Sequence, residues 1–406
     1  MTRTDYSTEP FASFLADWKE SFWGDLRGQT RQMLKTFLEV DAEQQMEEYL
    51  GLRWYERPAE GEVRADSRNG FYERDYVTPL GIIRLRVPRT RRRSFLPRWL
   101  KRLERRSPEV AELIRQVFLR GVSTRQVGRV VALLTDEPVS AQTVSKLTRV
   151  LDAQVRAFHE AELGDDWAYL FLDGVWIKVR RSFGPQRVLL LVAYGIRPNG
   201  QRQLLGFVRA RGESQAAWEG ALQSFYRRGL LGGTLQLIIT DGCAGLAAAL
   251  QTVYPGVPHQ RCWVHKMRNL TDAVRRRDHD AVKHDAQKIY QAPSLAEARQ
   301  AFGNFQRAWQ SAYPQVVRSL QKDLPDLLNF YAFPRHLWKK LRTTNAIERC
   351  FVEVRRRTRP MVVFTNVPSV DRIIYAIFHR FNEDWRTRTL ELFTQRTRRH
   401  LVVLSY

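Results

Sequence analysis

Residues 167–180 read WAYLFLDGVWIKVR, and residues 235–242 read LQLIITDG. Both are nearly continuous apolar runs of strand length, as expected of strands buried inside an α/β sheet. Each run carries one aspartate followed by glycine, Asp173–Gly174 and Asp241–Gly242. Aspartate is depleted in strands, and a carboxylate beside buried apolar side chains costs free energy unless it is paired or metal-bound. Asp241 stands at the carboxyl end of its run, where open α/β sheets place their sites. Either aspartate alone is more commonly a cap or turn residue. As a pair on neighbouring strands they read as a metal site.

The surrounding pattern extends the sheet. RVLLLVAYGIRPNG (187–200) is a second strand ending in the turn pair Asn199–Gly200, and RQLLGFVRARG (202–212) is a third. ESQAAWEGALQSFYRRGL and GLAAALQTVYPG have helical spacing and flank LQLIITDG, and HQRCWVH (259–265) reads as a short last strand. Three antiparallel strands, helix, strand, helix, strand is the layout of an RNase H-like core, a mixed sheet with flanking helices. Residues 266–340 then show helical periodicity and no strand signal, so they read as an all-α insertion domain.

After it comes TTNAIERCFVEVRRRTRP (343–360), a helix with Ile347, Cys350, Phe351 and Val354 on one apolar face. Glu348 lies beside that face. Glu353 sits elsewhere on the wheel and reads as a salt-bridge partner of the neighbouring arginines. Arg349, Arg355 and Arg356 are candidate DNA contacts, against the plainer reading of a solvated basic face.

That candidacy rests on charge. The chain has 406 residues, with 66 Lys and Arg against 43 Asp and Glu, a formal charge of +23. A chain this basic usually meets a polyanion, and nucleic acid is the first candidate. Hydrolysis or transfer of a phosphodiester in such a polymer needs compensation of charge on the attacking and leaving oxygens. Two Mg²⁺ ions about 3.5–4 Å apart supply it from hard oxygen ligands. Asp173 and Asp241 are two such ligands, and Glu348 is the best-placed third. Mn²⁺ can substitute.

Upstream, residues 10–55 have helical spacing. FYERDYVTPLGIIRLRVPRT (71–90) holds a turn at Thr78–Gly81 between alternating stretches, a β-hairpin with Arg84 and Arg86 on one face. A basic stretch with Phe95 and Trp99 interleaved follows, and offers Arg91, Arg92 and Arg93 to phosphates. Residues 108–156 give three helices, the second capped by Ser123 and the third, AQTVSKLTRVLDAQV, capped by Ser140. Two short capped helices read about equally as a helix-turn-helix or as a small helical bundle without DNA contact; the basic context favours the first, with Arg125, Gln142, Thr143 and Lys146 toward DNA. The division is residues 1–105, helical with a β-hairpin and basic stretch; 106–160, helix-turn-helix; 165–265, first part of the catalytic core; 266–340, the insertion; and 341–406, the remainder of the core with the Glu348 helix.

Three cysteines, Cys243, Cys262 and Cys350, make no disulfide framework, and a reducing cytoplasm is expected. No secretory signal pattern opens the chain, and no apolar run reaches the roughly 18 residues of a membrane span. Cys262 and His265 form a single Cys-x-x-His pair without a second pair to complete zinc. His265 reads instead as a residue that orients the active site, with Arg268 nearby as a DNA contact.

FLDGVWIKVR, GIRPNGQRQLLGF, TDGCAGL, YPGVPHQRCWVHKMRNL and TTNAIERCFVEVRRRTR, in this order, resemble the Mutator-type transposases of bacterial insertion sequences. YVTPLGIIRLRVPRTRRRSFLP and RGVSTRQVGRVVALL extend the resemblance to nearly the whole chain. It implies an Asp-Asp-Glu triad at Asp173, Asp241 and Glu348 and the family's Cys-x-x-His at Cys262 and His265. It also implies binding to terminal inverted repeats, cleavage at element ends, strand transfer into target DNA through a circular intermediate, and nucleoid association. A homodimer or larger complex would synapse two ends. The rival readings are an RNase H-like nuclease or resolvase that does not transpose, and a non-enzymatic helix-turn-helix regulator, which leaves Asp173 and Asp241 unexplained.

Overall fold

A computed structural model describes residues 9–53, 55–56, 66–92, 94–103, 106–120, 122–135, 139–181, 184–358 and 367–394. The chain forms two compact units divided between Arg149 and Val150, with the short segment after Phe118 grouped with the second.

The first unit begins with α1 (Glu9–Leu50), followed by the hairpin β1 (Arg68–Thr78) and β2 (Gly81–Thr90). Period-2 alternation turns Ile83, Leu85 and Val87 inward, where they meet Leu38 of α1, Tyr76 and Leu100. Thr78 builds the turn: its hydroxyl donates to Gly81 O at 2.8 Å and accepts from Leu80 N–H at 3.2 Å. The short α2 (Arg98–Leu103) leads to α3 (Pro108–Leu119), α4 (Thr124–Thr135) and α5 (Ala141–Leu147). Ser123 Oγ accepts from Gln126 N–H at 3.3 Å, and Ser140 Oγ from Thr143 N–H at 3.2 Å, so both expected caps form. Gly128 lets the backbones of α4 and the α5 entry touch, since a Cβ there would lie 2.0 Å from Val139 O.

One expected helix is two. AQTVSKLTRVLDAQV runs as α5, a 3-10 turn at Thr148–Val150, and α6 (Leu151–Glu160). Thr148 donates its hydroxyl to Ser145 O at 3.1 Å, the local back-bonding by which a β-branched hydroxyl residue tightens or bends a helix.

The second unit is built on β3 (Tyr169–Arg181), β4 (Gly184–Ile196), β5 (Arg202–Ala210), α7 (Gln215–Arg227), β6 (Leu237–Thr240), α8 (Ala244–Val253) and β7 (His259–Arg261). The sheet order is β5-β4-β3-β6-β7. β3, β4 and β5 are antiparallel neighbours, while β6 and β7 run parallel to β3. One face carries Leu170, Leu172, Leu189 and Leu191 against Trp218, Leu222 and Phe225 of α7 and Leu246 and Leu250 of α8. Five helices follow: α9 (Trp263–Asp272), α10 (His279–Gln291), α11 (Leu295–Trp309), α12 (Pro314–Leu328) and α13 (Trp338–Leu341). The chain then returns as α14 (Asn345–Thr358) and α15 (Val367–Arg386). α14 packs on β3, and α15 lies along β5 with Phe378 edge-on to Phe207 at 5.5 Å.

The last expected strand is shorter than its apolar run. HQRCWVH is extended only at His259–Arg261; Cys262 is the N-cap residue of α9, so His265 projects from a helix. Among the described residues, no helix is long and apolar enough to cross a membrane.

Candidate active site

Parallel pairing sets the two aspartates side by side. Leu172 of β3 is the register partner of Thr240 of β6, the last pair of that ladder, so Asp173 is the next residue along β3 and Asp241 the first residue past β6. Asp173 follows Phe171 at two-residue spacing and therefore shares its face of the sheet. It is buried, 7 % exposed, and its Oδ1 accepts Gly174 N–H at 2.7 Å. Asp241 leaves the sheet at the strand end, where its Oδ1 accepts Cys243 N–H at 2.9 Å and so fixes the turn into α8.

Glu348 arrives from α14. The helix buries Ile347, Cys350, Phe351 and Val354, as its spacing predicts, which leaves Glu348 half-buried in the first turn. Its Oε1 lies 3.5 Å from His265 Nε2 and 3.2 Å from the Thr344 hydroxyl. Thr344 N–H also donates to Cys262 Sγ at 3.3 Å. The Cys-x-x-His pair thus meets the start of the Glu348 helix.

The electrostatics show excess negative charge in a dry place. Burial, then the charge of Asp241, pushes the Asp173 carboxyl up to about 7, with Glu348 adding to the rise and Gly174 N–H and His265 opposing it. Contact with Cys262, against the effect of burial, raises His265 to about 9, with Asp173 and Glu348 contributing. The rise favours the imidazolium form of His265. Burial works against the Cys262 thiolate, but contacts with His265 and Thr344 hold that thiol below its ordinary value.

Asp173, Asp241 and Glu348 present hard carboxylate oxygens, the donors Mg²⁺ takes. Among the described residues, no three His, Cys, Asp or Glu side chains form a ready-made metal cluster. Mg²⁺ at phosphoryl-transfer sites is commonly held by one or two carboxylates, with substrate phosphate and water completing its shell. The raised Asp173 carboxyl fits such a site, because burial and then the charge of Asp241 keep its proton on, and a bound cation offsets both.

A fourth acid stands close by. The Cβ of any side chain at Gly174 would lie 3.2 Å from Glu213 Oε1, and burial and then Asp241 raise the Glu213 carboxyl. Its position just before the α7 cap, Ser214, marks it as a residue whose placement depends on the β5–α7 turn, which periodicity does not resolve.

The candidate DNA contacts divide. Arg349 and Arg268 are exposed on α14 and α9, and Arg355 is half-buried. Arg356 is exposed but committed to Glu353, with Nε–Oε2 at 2.7 Å and a second bond at 2.9 Å. In the first unit, Arg91, Arg92, Gln142 and Lys146 are exposed, and Thr143 is half-buried with its N–H used by the Ser140 cap. Arg93 and the Arg125 side chain lie outside the described residues.

A mixed α/β sheet that sets Asp173 beside the end of the strand preceding Asp241, in a chain of formal charge +23, fits a protein that acts on a polyanion. Residues 12–388 match the model of the family described as "Transposase, Mutator family", and the chain belongs to that family. It is 31% identical over 352 residues to the transposase for insertion sequence element IS905 of Lactococcus lactis subsp. lactis (strain IL1403), covering 87% of this chain and 88% of that one. It is 34% identical over 342 residues to the transposase for IS406 of Burkholderia multivorans (strain ATCC 17616 / 249), covering 84% and 87%. It is 31% identical over 359 residues to the transposase for IS256 in transposon Tn4001 of Staphylococcus aureus, covering 88% and 90%.

Proposed function

We propose that this transposase cleaves DNA at the terminal inverted repeats of its insertion sequence and joins the freed 3′ ends to target DNA at a single site formed by Asp173, Asp241 and Glu348. The observation that carries the reading is the register of β3 on β6, which sets Asp173, inside β3, beside the end of β6 that Asp241 follows. The sheet order supports an RNase H-like core, and the helices from α9 to α13 between β7 and α14 support an all-α insertion.

Asp173, Asp241 and Glu348 would hold two Mg²⁺ ions, or Mn²⁺ in their place. Bound there, the metal offsets charge on the attacking and leaving oxygens of an in-line displacement. The chain's own residues do the rest. Asp173 is held inside β3 and Asp241 by the turn that follows β6, so little reorganisation is needed at the moment of reaction. His265, as a cation, holds Glu348 toward the sheet. Arg349, Arg355 and Arg268 draw the phosphate backbone across the site without reading sequence. The α4–α5 pair, as a helix-turn-helix, reads the inverted repeats by groove contacts. Synapsis of two ends calls for a homodimer or larger complex.

The test uses a duplex oligonucleotide ending in the terminal inverted repeat that flanks the gene, incubated with the full chain and Mg²⁺. Transposition predicts a cut at the element end and a longer product joined to a second duplex. Cutting without any joined product supports the nuclease reading instead.

A further inference from the structure

We propose that Thr240, His259 and Asp326 form a positioning relay that holds the Asp241 turn from behind, tying it to helix α12; this rests on the reading of Asp241 as a metal ligand. Thr240 is the last residue of β6 and is fully buried, 0 % exposed. Its Oγ1 accepts Gly242 N–H at 3.1 Å, so it closes the turn that carries Asp241. Gly242 adopts φ 92°, the left-handed region that glycine enters without a Cβ clash. The same Thr240 oxygen lies 2.7 Å from His259 Nε2, which is also buried. The other ring nitrogen, Nδ1, lies 3.5 Å from Asp326 Oδ2 on α12.

The order of donors follows from that placement. Asp326 favours the tautomer with the proton on Nδ1, which leaves Nε2 as an acceptor. Nε2 then receives the Thr240 O–H and fixes that hydroxyl's rotation. A Thr240 oxygen so fixed directs a lone pair at Gly242 N–H. Without the imidazole the hydroxyl can turn to other acceptors, and the turn loses its brace.

Helix α12 is well seated to anchor the relay. Arg261 on β7 reaches both Asp326, at 3.2 Å, and Asp323, at 2.9 Å. Asn329 Nδ2 donates to His259 O at 2.7 Å, and Trp263 Nε1 donates to Leu327 O at 2.7 Å. The relay is distinct from the Cys262–Thr344–His265 contacts, which act on Glu348. The two aspartates therefore differ: Asp173 is fixed by its own strand, whereas Asp241 is fixed in part by a helix from elsewhere in the chain.

The experiment compares full-length wild type with Thr240→Val, Thr240→Ser, Asp326→Asn and Asp241→Asn. Mn²⁺ binding is titrated by electron paramagnetic resonance on the protein alone, and the Mg²⁺ dependence of end cleavage is measured in parallel. Outer partners of a metal ligand typically change affinity or activity by about 10–100-fold. Thr240→Val should weaken Mn²⁺ binding by about tenfold and raise the Mg²⁺ needed for half-maximal cleavage, with end binding unchanged. Thr240→Ser should recover most of both. If Thr240→Val does not fold, Asp326→Asn carries the same expectation without removing the buried hydroxyl. Normal Mn²⁺ binding in a folded Thr240→Val or Asp326→Asn, beside a weakened Asp241→Asn, overturns the relay alone. Unchanged binding in Asp241→Asn overturns the ligand reading, and the relay with it.

Discussion

His265 Nε2 stands 3.5 Å from Glu348 Oε1, across the joint between the start of α9 and the start of α14. The contact joins the Cys262-x-x-His265 pair to the expected third acid. If His265 serves as the cation that aims Glu348, His265→Asn should lower end cleavage by about 10–100-fold, the usual effect of an outer partner of a metal ligand. End binding by the same variant, measured by gel shift, should stay near wild type. A variant that cleaves at the wild-type rate would show that Glu348 needs no such partner.

Two glycines should respond in opposite ways to alanine. At Gly128 the new Cβ meets Val139 O at 2.0 Å, and backbone has little room to move. Gly128→Ala should destabilise the first unit by about 1–3 kcal/mol or more and weaken end binding with it. At Gly220, inside α7, a Cβ meets nothing within 4 Å. Gly220→Ala should stabilise the second unit by about 0.5–1 kcal/mol through helix propensity. Thermal unfolding of both variants, with end binding assayed alongside, checks the pair.

Asp371 supplies a pH signature of folding away from the site. It lies on α15 with Oδ1 3.2 Å from Arg209 Nε. Burial pushes its carboxyl from 3.8 to about 6, against the opposing pull of Arg209 and Arg372. Between those values the folded state holds a proton that the unfolded state has lost. Stability from this group therefore falls as pH rises from about 4 to 6, by up to about 3 kcal/mol. Asp371→Asn removes the titration, so its melting temperature relative to wild type should climb across that window and then level off. A constant difference from pH 4 to pH 7 would refute the assignment.

Much of this arrangement could be read from residue order. Alternation at Ile83, Leu85 and Val87 and the turn at Thr78–Gly81 gave the hairpin, and the apolar face of α14 gave the orientation of Glu348. Parallel pairing of β3 with β6 was harder, because register across a crossover depends on how α7 packs rather than on either strand. The break at Thr148–Val150 escaped because helical periodicity continues straight through it, while one threonine hydroxyl turns back on its own helix. The strand end at Cys262 escaped for a related reason: an apolar run of a few residues fits a strand or a helix equally well. The roles of Thr240, Thr344 and His259 were invisible. Each works through a hydrogen bond to a residue distant in the chain, and no local spacing encodes such a partner.

The central claim is that Asp173, Asp241 and Glu348 act as one metal-dependent site. The most direct measurement is single-turnover cleavage of a pre-bound inverted-repeat end by Asp173→Asn, Asp241→Asn and Glu348→Gln, with wild type in Mg²⁺ and in EDTA as references. Each variant should bind the end with near wild-type affinity and yield no cleaved strand, matching wild type in EDTA. Cleavage at a rate close to wild type by any one of the three, or by wild type in EDTA, would contradict the account.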